Sequence, residues 1–118
     1  AAAGCMYVAP ADYHLLFEAD GSFSLDASEK VNFSRPSIDV SFASAATVYG
    51  SRLACVLLSG ANGDGTEGLR AARAGNAVCM VQSPASAIIP FMPEHAIKEL
   101  GLHEVYSPEQ IGAFINQL

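Results

Sequence analysis

The chain alternates short apolar runs with polar punctuation, and the period of each run decides which element it can form. Residues 5–9, 14–18 and 22–25 are brief runs carrying aromatic and aliphatic side chains, the composition of strands. Asp20-Gly21 between the second and third supplies what a tight hairpin turn favours. A small antiparallel ribbon is therefore predicted at the start. After a polar stretch over 26–35, Pro36-Ser37 opens a helix whose apolar stripe is Ile38, Phe42, Ala45 and Tyr49, one face at 3.6 residues per turn. Ser37 is its expected N-cap and Gly50 its stop.

Residues 53–58 and 77–81 are continuously apolar, and between them lie a glycine-rich turn and a short helix over 66–74, ended by Gly75. Strand, helix, strand with unbroken apolar strands predicts a βαβ unit buried on both faces. A bend containing Pro84, Pro90 and Pro93 follows, then a helix over 94–100 stopped by Gly101 and a short strand over 104–106. Ser107-Pro108-Glu109-Gln110 is a capping box with proline at the first helical position, and Ile111, Phe114, Ile115 and Leu118 form the face of the last helix. The predicted fold is α/β: a mostly parallel sheet with helices on both faces plus a small antiparallel β-ribbon, a Rossmann-like three-layer arrangement. Nothing divides the chain, so residues 1–118 read as one domain.

Composition narrows the function. Apolar residues make up 51% and charged ones 15%, too apolar for disorder, and no apolar run approaches a bilayer span. A net charge of −6 is the wrong sign for a backbone-driven nucleic-acid binder or for docking on anionic lipid. The three cysteines, Cys5, Cys55 and Cys79, are widely spaced and sit in apolar runs, which predicts reduced, buried thiols and a cytoplasmic setting. Ala1-Ala2-Ala3-Gly4 has the character of neither a natural start nor a signal peptide, so the chain is expected to be part of something longer.

In a parallel sheet the reaction site lies beyond the carboxyl ends of the strands, which points to the loop 59–68. Residues 63–68 satisfy G-x-G-x-x-G after a strand and before a helix, the context of a dinucleotide fingerprint. The charges oppose that reading: Asp64 and Glu67 stand where a helix N-terminus should be free to accept an anion, and the next strand ends in Gln82-Ser83 rather than an acid for a ribose hydroxyl. Two roles remain for Asp64. It is either the N-cap of the following helix, with Glu67 completing a capping-box-like pair, or a carboxylate placed to orient a histidine and stabilise the imidazolium.

Several blocks carry a resemblance: Tyr7-Val8-Ala9-Pro10 with Asp12 and His14; residues 31–40 with Arg35-Pro36-Ser37-Ile38-Asp39; the turn 60–69; Val81-Gln82-Ser83-Pro84-Ala85; and Met92-Pro93 with Ala96-Ile97. In these blocks and their order the chain is similar to the C-terminal catalytic domain of the CheB protein-glutamate methylesterase family, over the later part of that domain. The resemblance implies an esterase of bacterial chemotaxis with a Ser-His-Asp triad that hydrolyses glutamyl methyl esters on the cytoplasmic helices of methylated chemoreceptors, with a related glutamine deamidation. It needs no cofactor and no metal. The triad aspartate of the family matches Asp64; the serine and histidine lie upstream of residue 1, so this fragment alone is expected to be inactive. The turn departs from the family's common Gly-Met-Gly-x-Asp-Gly, reading Gly60-Ala61-Asn62-Gly63-Asp64-Gly65, and Phe91 stands where glycine is common. Both changes reshape the lip of the site.

The residues present agree with that absence. His14 in the ribbon, His95 on a helix and His103 in a turn read as surface or capping histidines, and Ser59 lacks a G-x-S-x-G elbow and reads as structural. Asp64→Asn is expected to remove turnover with little change in the fold. The alternative function is a non-catalytic binding module docking through an apolar lip at Phe91 and Met92. A truncated sheet with an uncovered apolar edge is expected to associate.

Overall fold

In the computed structural model, which describes residues 1–118, β1 (His14–Phe17) and β2 (Phe23–Asp26) pair antiparallel, with Leu15 opposite Leu25 and Phe17 opposite Phe23. The Asp20-Gly21 turn forms as the sequence predicts. Gly21 takes a φ of 85°, and the Asp20 carboxylate accepts from the Ser22 amide at 2.9 Å and hydroxyl at 2.6 Å. The third predicted strand, 5–9, does not form: a strand needs a neighbour's N–H and C=O groups, and none lies alongside it. Tyr7 anchors the segment by meeting the Phe23 ring edge-on at 4.8 Å, while Met6 and Val8 stay exposed.

The main sheet holds β3 (Ala54–Leu57), β4 (Val78–Gln82) and β5 (Val105–Tyr106), all parallel, in the order β3-β4-β5. α2 (Thr66–Ala74) connects β3 to β4 and ends at Gly75, the boundaries the sequence predicts. Alternation along the strands puts Cys55, Leu57, Cys79 and Val81 on one face. There they pack with Leu69 and Ala72 of α2 and with Met92 and Ala96 of α3 (Phe91–Leu100). α1 (Ile38–Tyr49) lies against α2 and the ribbon, adding Ile38 and Phe42 to the same core. α3 starts three residues before the predicted Glu94, because Pro93 falls in the first turn, where its missing N–H breaks no helical bond.

The opposite face is covered less completely than unbroken apolar strands suggest. α4 (Pro108–Asn116), opened by the predicted Ser107–Gln110 capping box, lies mainly over β4 and β5. Val78 remains 45% exposed, and a cleft of about 590 Å³ lined by Met80, Tyr106 and Phe114 separates the strands from α4. Apolar character marks what a strand could bury, and the cover must come from elsewhere.

The cysteines divide. Cys55 and Cys79 face each other in register and are buried, whereas Cys5 is exposed, against the expectation that all three are buried. Cys5 lies in the unpaired segment 5–9, so no element packs over it. Burial, with the Cys79 thiol beside it, pushes the Cys55 thiol up to about 12, and burial also raises Cys79. Native protein at neutral pH is expected to expose one thiol to Ellman's reagent and three after denaturation. Because the unfolded Cys55 thiol ionises from about pH 9 and the folded one does not, stability should fall as pH rises above that point.

Gly68 marks the closest approach of two helices. A Cβ there would lie 2.7 Å from the Phe42 Cβ and 3.1 Å from the Asp39 Cα. Alanine is the better helix former by about 1 kcal/mol, yet here overpacking costs roughly 1–3 kcal/mol. Gly68→Ala is therefore expected to lower the unfolding free energy in urea titration, the reverse of the usual sign for a helical glycine.

Candidate active site

Between β3 and α2 the chain crosses the carboxyl edge of the sheet in a loop whose last residue before the helix is Gly65. Its φ is 99°, and a Cβ there would come 2.4 Å from the Leu57 Cδ1, so only glycine fits. The loop is stitched to the segment before α3. The Gly60 amide donates to the Ile89 carbonyl at 2.9 Å, the Met92 amide donates to the Gly60 carbonyl at 3.0 Å, and the Ser59 hydroxyl bonds both backbone groups of Ile89. The Ser59 amide donates to the Gln82 side chain. Ser59 is thus a structural fastener, as its sequence context predicts.

Asp64 is buried, 2% exposed, and its carboxylate is turned away from its own helix. Oδ2 accepts from the Ile38 amide at 2.6 Å; Oδ1 accepts from the Ser37 hydroxyl at 2.7 Å, the Asn32 side chain at 3.0 Å and the Asp39 amide at 3.2 Å. The Ile38 and Asp39 amides are the first two of α1. Asp64 therefore caps α1 from outside, and the residue at the cap position, Ser37, makes no side-chain cap bond. The N-cap position of α2 belongs to Gly65, so the reading of Asp64 as the cap of α2 is corrected. Glu67 completes no capping box either. It is exposed and pairs with Arg70 at 3.0 Å, which holds its carboxyl below the usual range.

The amides at the start of α2 are bound by a residue to which no role is assigned from sequence alone. Asp39 Oδ1 accepts from the Gly65 amide at 2.9 Å and the Gly68 amide at 2.7 Å. Each helix is thus capped by an aspartate belonging to the other segment. Asn32 Nδ2 links the pair, donating to Asp39 Oδ2 at 2.6 Å and Asp64 Oδ1 at 3.0 Å. A dinucleotide would need the same amides for its pyrophosphate, so Asp39 occupies the place that the glycine fingerprint would offer. The signal for Asp39 was present as an acid in the first turn of a helix, but its partners lie 26 and 29 residues away.

No histidine bonds Asp64. His14 is fully buried, which corrects its reading as a surface or capping residue: its Nε2–H donates to the Glu29 carbonyl at 2.8 Å, and its Nδ1 accepts the Ser37 amide at 3.1 Å. Those two bonds fix a neutral tautomer and leave no nitrogen free for proton transfer. His95 Nδ1 bonds the Thr66 hydroxyl at 2.9 Å, its ring covers Gly63 and stacks on Phe91 at 5.8 Å, and His103 is exposed. Met92 is buried against Gly60 rather than forming a lip, because α3 begins before it. Of the two predicted lip residues only Phe91 is exposed, at 51%.

Over residues 1–115 the chain matches the family described as CheB methylesterase. It belongs to the CheB methylesterase family. The crystal structure of the Thermotoga maritima CheB methylesterase catalytic domain superposes with a TM-score of 0.87 at 30% identity, covering 95% of this chain and 61% of that one. A Leptospira interrogans protein is 45% identical over 115 residues, 98% of this chain and 60% of its own length. The protein-glutamate methylesterase FrzG of Myxococcus xanthus is 35% identical over 98% of this chain and 35% of its own length. The chain thus spans between about a third and three fifths of these relatives. No helix in this CheB-family chain is long and apolar enough to cross a membrane.

The capping exchange makes the loop sensitive to substitution. Asparagine has one acceptor oxygen, and both oxygens of Asp64 are in use, so Asp64→Asn is expected to lower stability by about 1–3 kcal/mol rather than leave the fold unchanged. Asp39→Ala, which frees two helix amides and one Asn32 bond, should cost about 2 kcal/mol. Chemical denaturation of each variant measures both.

Proposed function

We propose that this chain is the aspartate-bearing portion of a cytoplasmic protein-glutamate methylesterase whose serine and histidine are supplied by polypeptide outside residues 1–118. The observation that carries the reading is Asp64 itself, a buried carboxylate fixed by four donors on the loop after a parallel strand, in a chain of the CheB family. Oδ1 is fully used, while Oδ2 takes only the Ile38 amide and keeps one acceptor site. A histidine Nδ1–H donated to that site would be held in the tautomer that leaves Nε2 free to take the serine proton.

Two features support this reading by leaving room for such a segment. β3 is an edge of the sheet with its outer side unpaired, and a parallel strand added there would bring its carboxyl end beside the loop of Asp64. An apolar groove of about 340 Å³ runs past the same edge, lined by Tyr7, Phe17, Phe42 and Cys55 together with Ser37 and Ile38, two of the residues that hold Asp64.

In this reading the serine attacks the glutamyl methyl-ester carbonyl of a methylated chemoreceptor, methanol leaves with a proton from the imidazolium, and water releases the glutamate from the acyl-enzyme. Attack on a glutamine side chain by the same route would release ammonia. Asp64 acts throughout as the orienter of the histidine.

The test measures methanol release from a methylated receptor fragment by the longer protein that carries this chain. Asp64→Asn should lower turnover by up to about 10⁴-fold. Because that variant is also less stable, Ile111→Ala in α4 serves as the control: it removes core packing remote from Asp64 at a cost of roughly 2–5 kcal/mol and should retain turnover in its folded fraction. Equal losses in both variants would show that Asp64 acts only through stability. A folded parent that releases no methanol would sink the methylesterase reading.

A further inference from the structure

Beside the Asp64 carboxylate the backbone makes a tight turn at an unusual cost. Val31 and Ser34 exchange backbone hydrogen bonds of 3.0 and 2.9 Å around a two-residue loop, and both loop residues lie in the left-handed region, Asn32 at φ 53° and Phe33 at φ 63°. Such a turn favours Asn then Gly. Asn32 fits. Phe33 does not, because a bulky side chain in this region is a steric outlier.

Nothing in the fold repays the strain, since Phe33 is 96% exposed. A lone exposed aromatic needs no explanation. One held where glycine would be more stable, in a turn bolted to the reacting centre, does. The bolts are Asn32 Nδ2 on Asp64 and Asp39, and Asn62 Nδ2, which donates to the Asn32 carbonyl at 3.3 Å. The Phe33 ring therefore projects one residue away from a group in contact with the Asp64 carboxylate. Phe91, stacked on the His95 ring that covers Gly63, gives the other flank of the loop a second exposed aromatic.

Resting on the methylesterase reading, we propose that Phe33 is a specificity-determining residue for that reaction: its ring contacts apolar side chains of the protein segment that carries the glutamyl ester. A small ester has no flanking residues to reach the ring. The contact thus separates protein substrate from free ester without touching the bond that is cleaved.

Phe33→Gly tests this in the longer protein that carries the chain, by methanol release from a methylated receptor fragment and from N-acetylglutamate γ-methyl ester. The expected result is a fall of about tenfold in kcat/KM on the receptor fragment, the size of one well-placed aromatic contact, with the small ester unaffected. The melting temperature should rise by about 4 °C as strain is relieved, and Phe33→Trp should keep activity on the receptor fragment. Equal activity of Phe33→Gly on both substrates, or an equal loss on both, would overturn the assignment, as would a lower melting temperature, which would make Phe33 structural. If the unmodified protein releases methanol from neither substrate, the methylesterase reading itself fails and the assignment goes with it; if it is active and Asp64→Asn is not, a null result at Phe33 counts against Phe33 alone.

Discussion

Two helices whose N-termini are each satisfied by the other segment's aspartate are the constraint on which the rest of this structure depends. A helix start leaves unpaired amides with partial positive charge, and the usual remedy is a side chain from the residue just before it. Here α1 takes Asp64 and α2 takes Asp39, with Asn32 tying the two carboxylates together. Neither helix can shift along the other without stranding a buried carboxylate and the amides that face it, a costly state. The absence of a side chain at Gly68 follows from the same exchange, since the Asp39 backbone must come close enough to reach its amide.

The exchange also fixes the loop at the edge of the sheet. Asp64 cannot move without releasing α1, Gly65 is wedged against Leu57, and the residues before them are laced to the start of α3. A carboxylate that must orient another side chain has to be held to a fraction of an ångström by its surroundings. In the role proposed for Asp64, the hydrogen bonds that stabilise the fold would also do the positioning. No substitution of Asp64 can therefore be silent in the fold, and activity has to be compared with a destabilised control.

What was legible in the sequence follows the distance over which each signal acts. The Asp20-Gly21 turn, the Gly50 and Gly75 stops and the Ser107–Gln110 capping box are written in contiguous residues, and they formed where predicted. Asp64 was legible as a residue of interest because it follows a buried strand, but not its orientation, because its donors lie 25 to 32 residues away. His14 looked like an ordinary ribbon residue for the same reason: its burial depends on Glu29 and Ser37, which no local pattern connects to it. Residues 5–9 have strand composition without a partner, and composition cannot supply one.

The glycine fingerprint at 63–68 shows why a motif must be read with its charges. Glycines at these positions do leave amides open at a helix start, as they would for a pyrophosphate, and the geometry that attracts a ligand anion attracts a side-chain anion equally well. The protein fills the position with Asp39 and repeats the arrangement one helix away with Asp64. The consequence is a loop whose negative charge is turned inward and neutralised by backbone dipoles, while its outward flanks are the aromatic rings of Phe33 and Phe91. Such a rim has little to offer a phosphate, so the feature that mimics a nucleotide site is also what makes the loop unfit to be one.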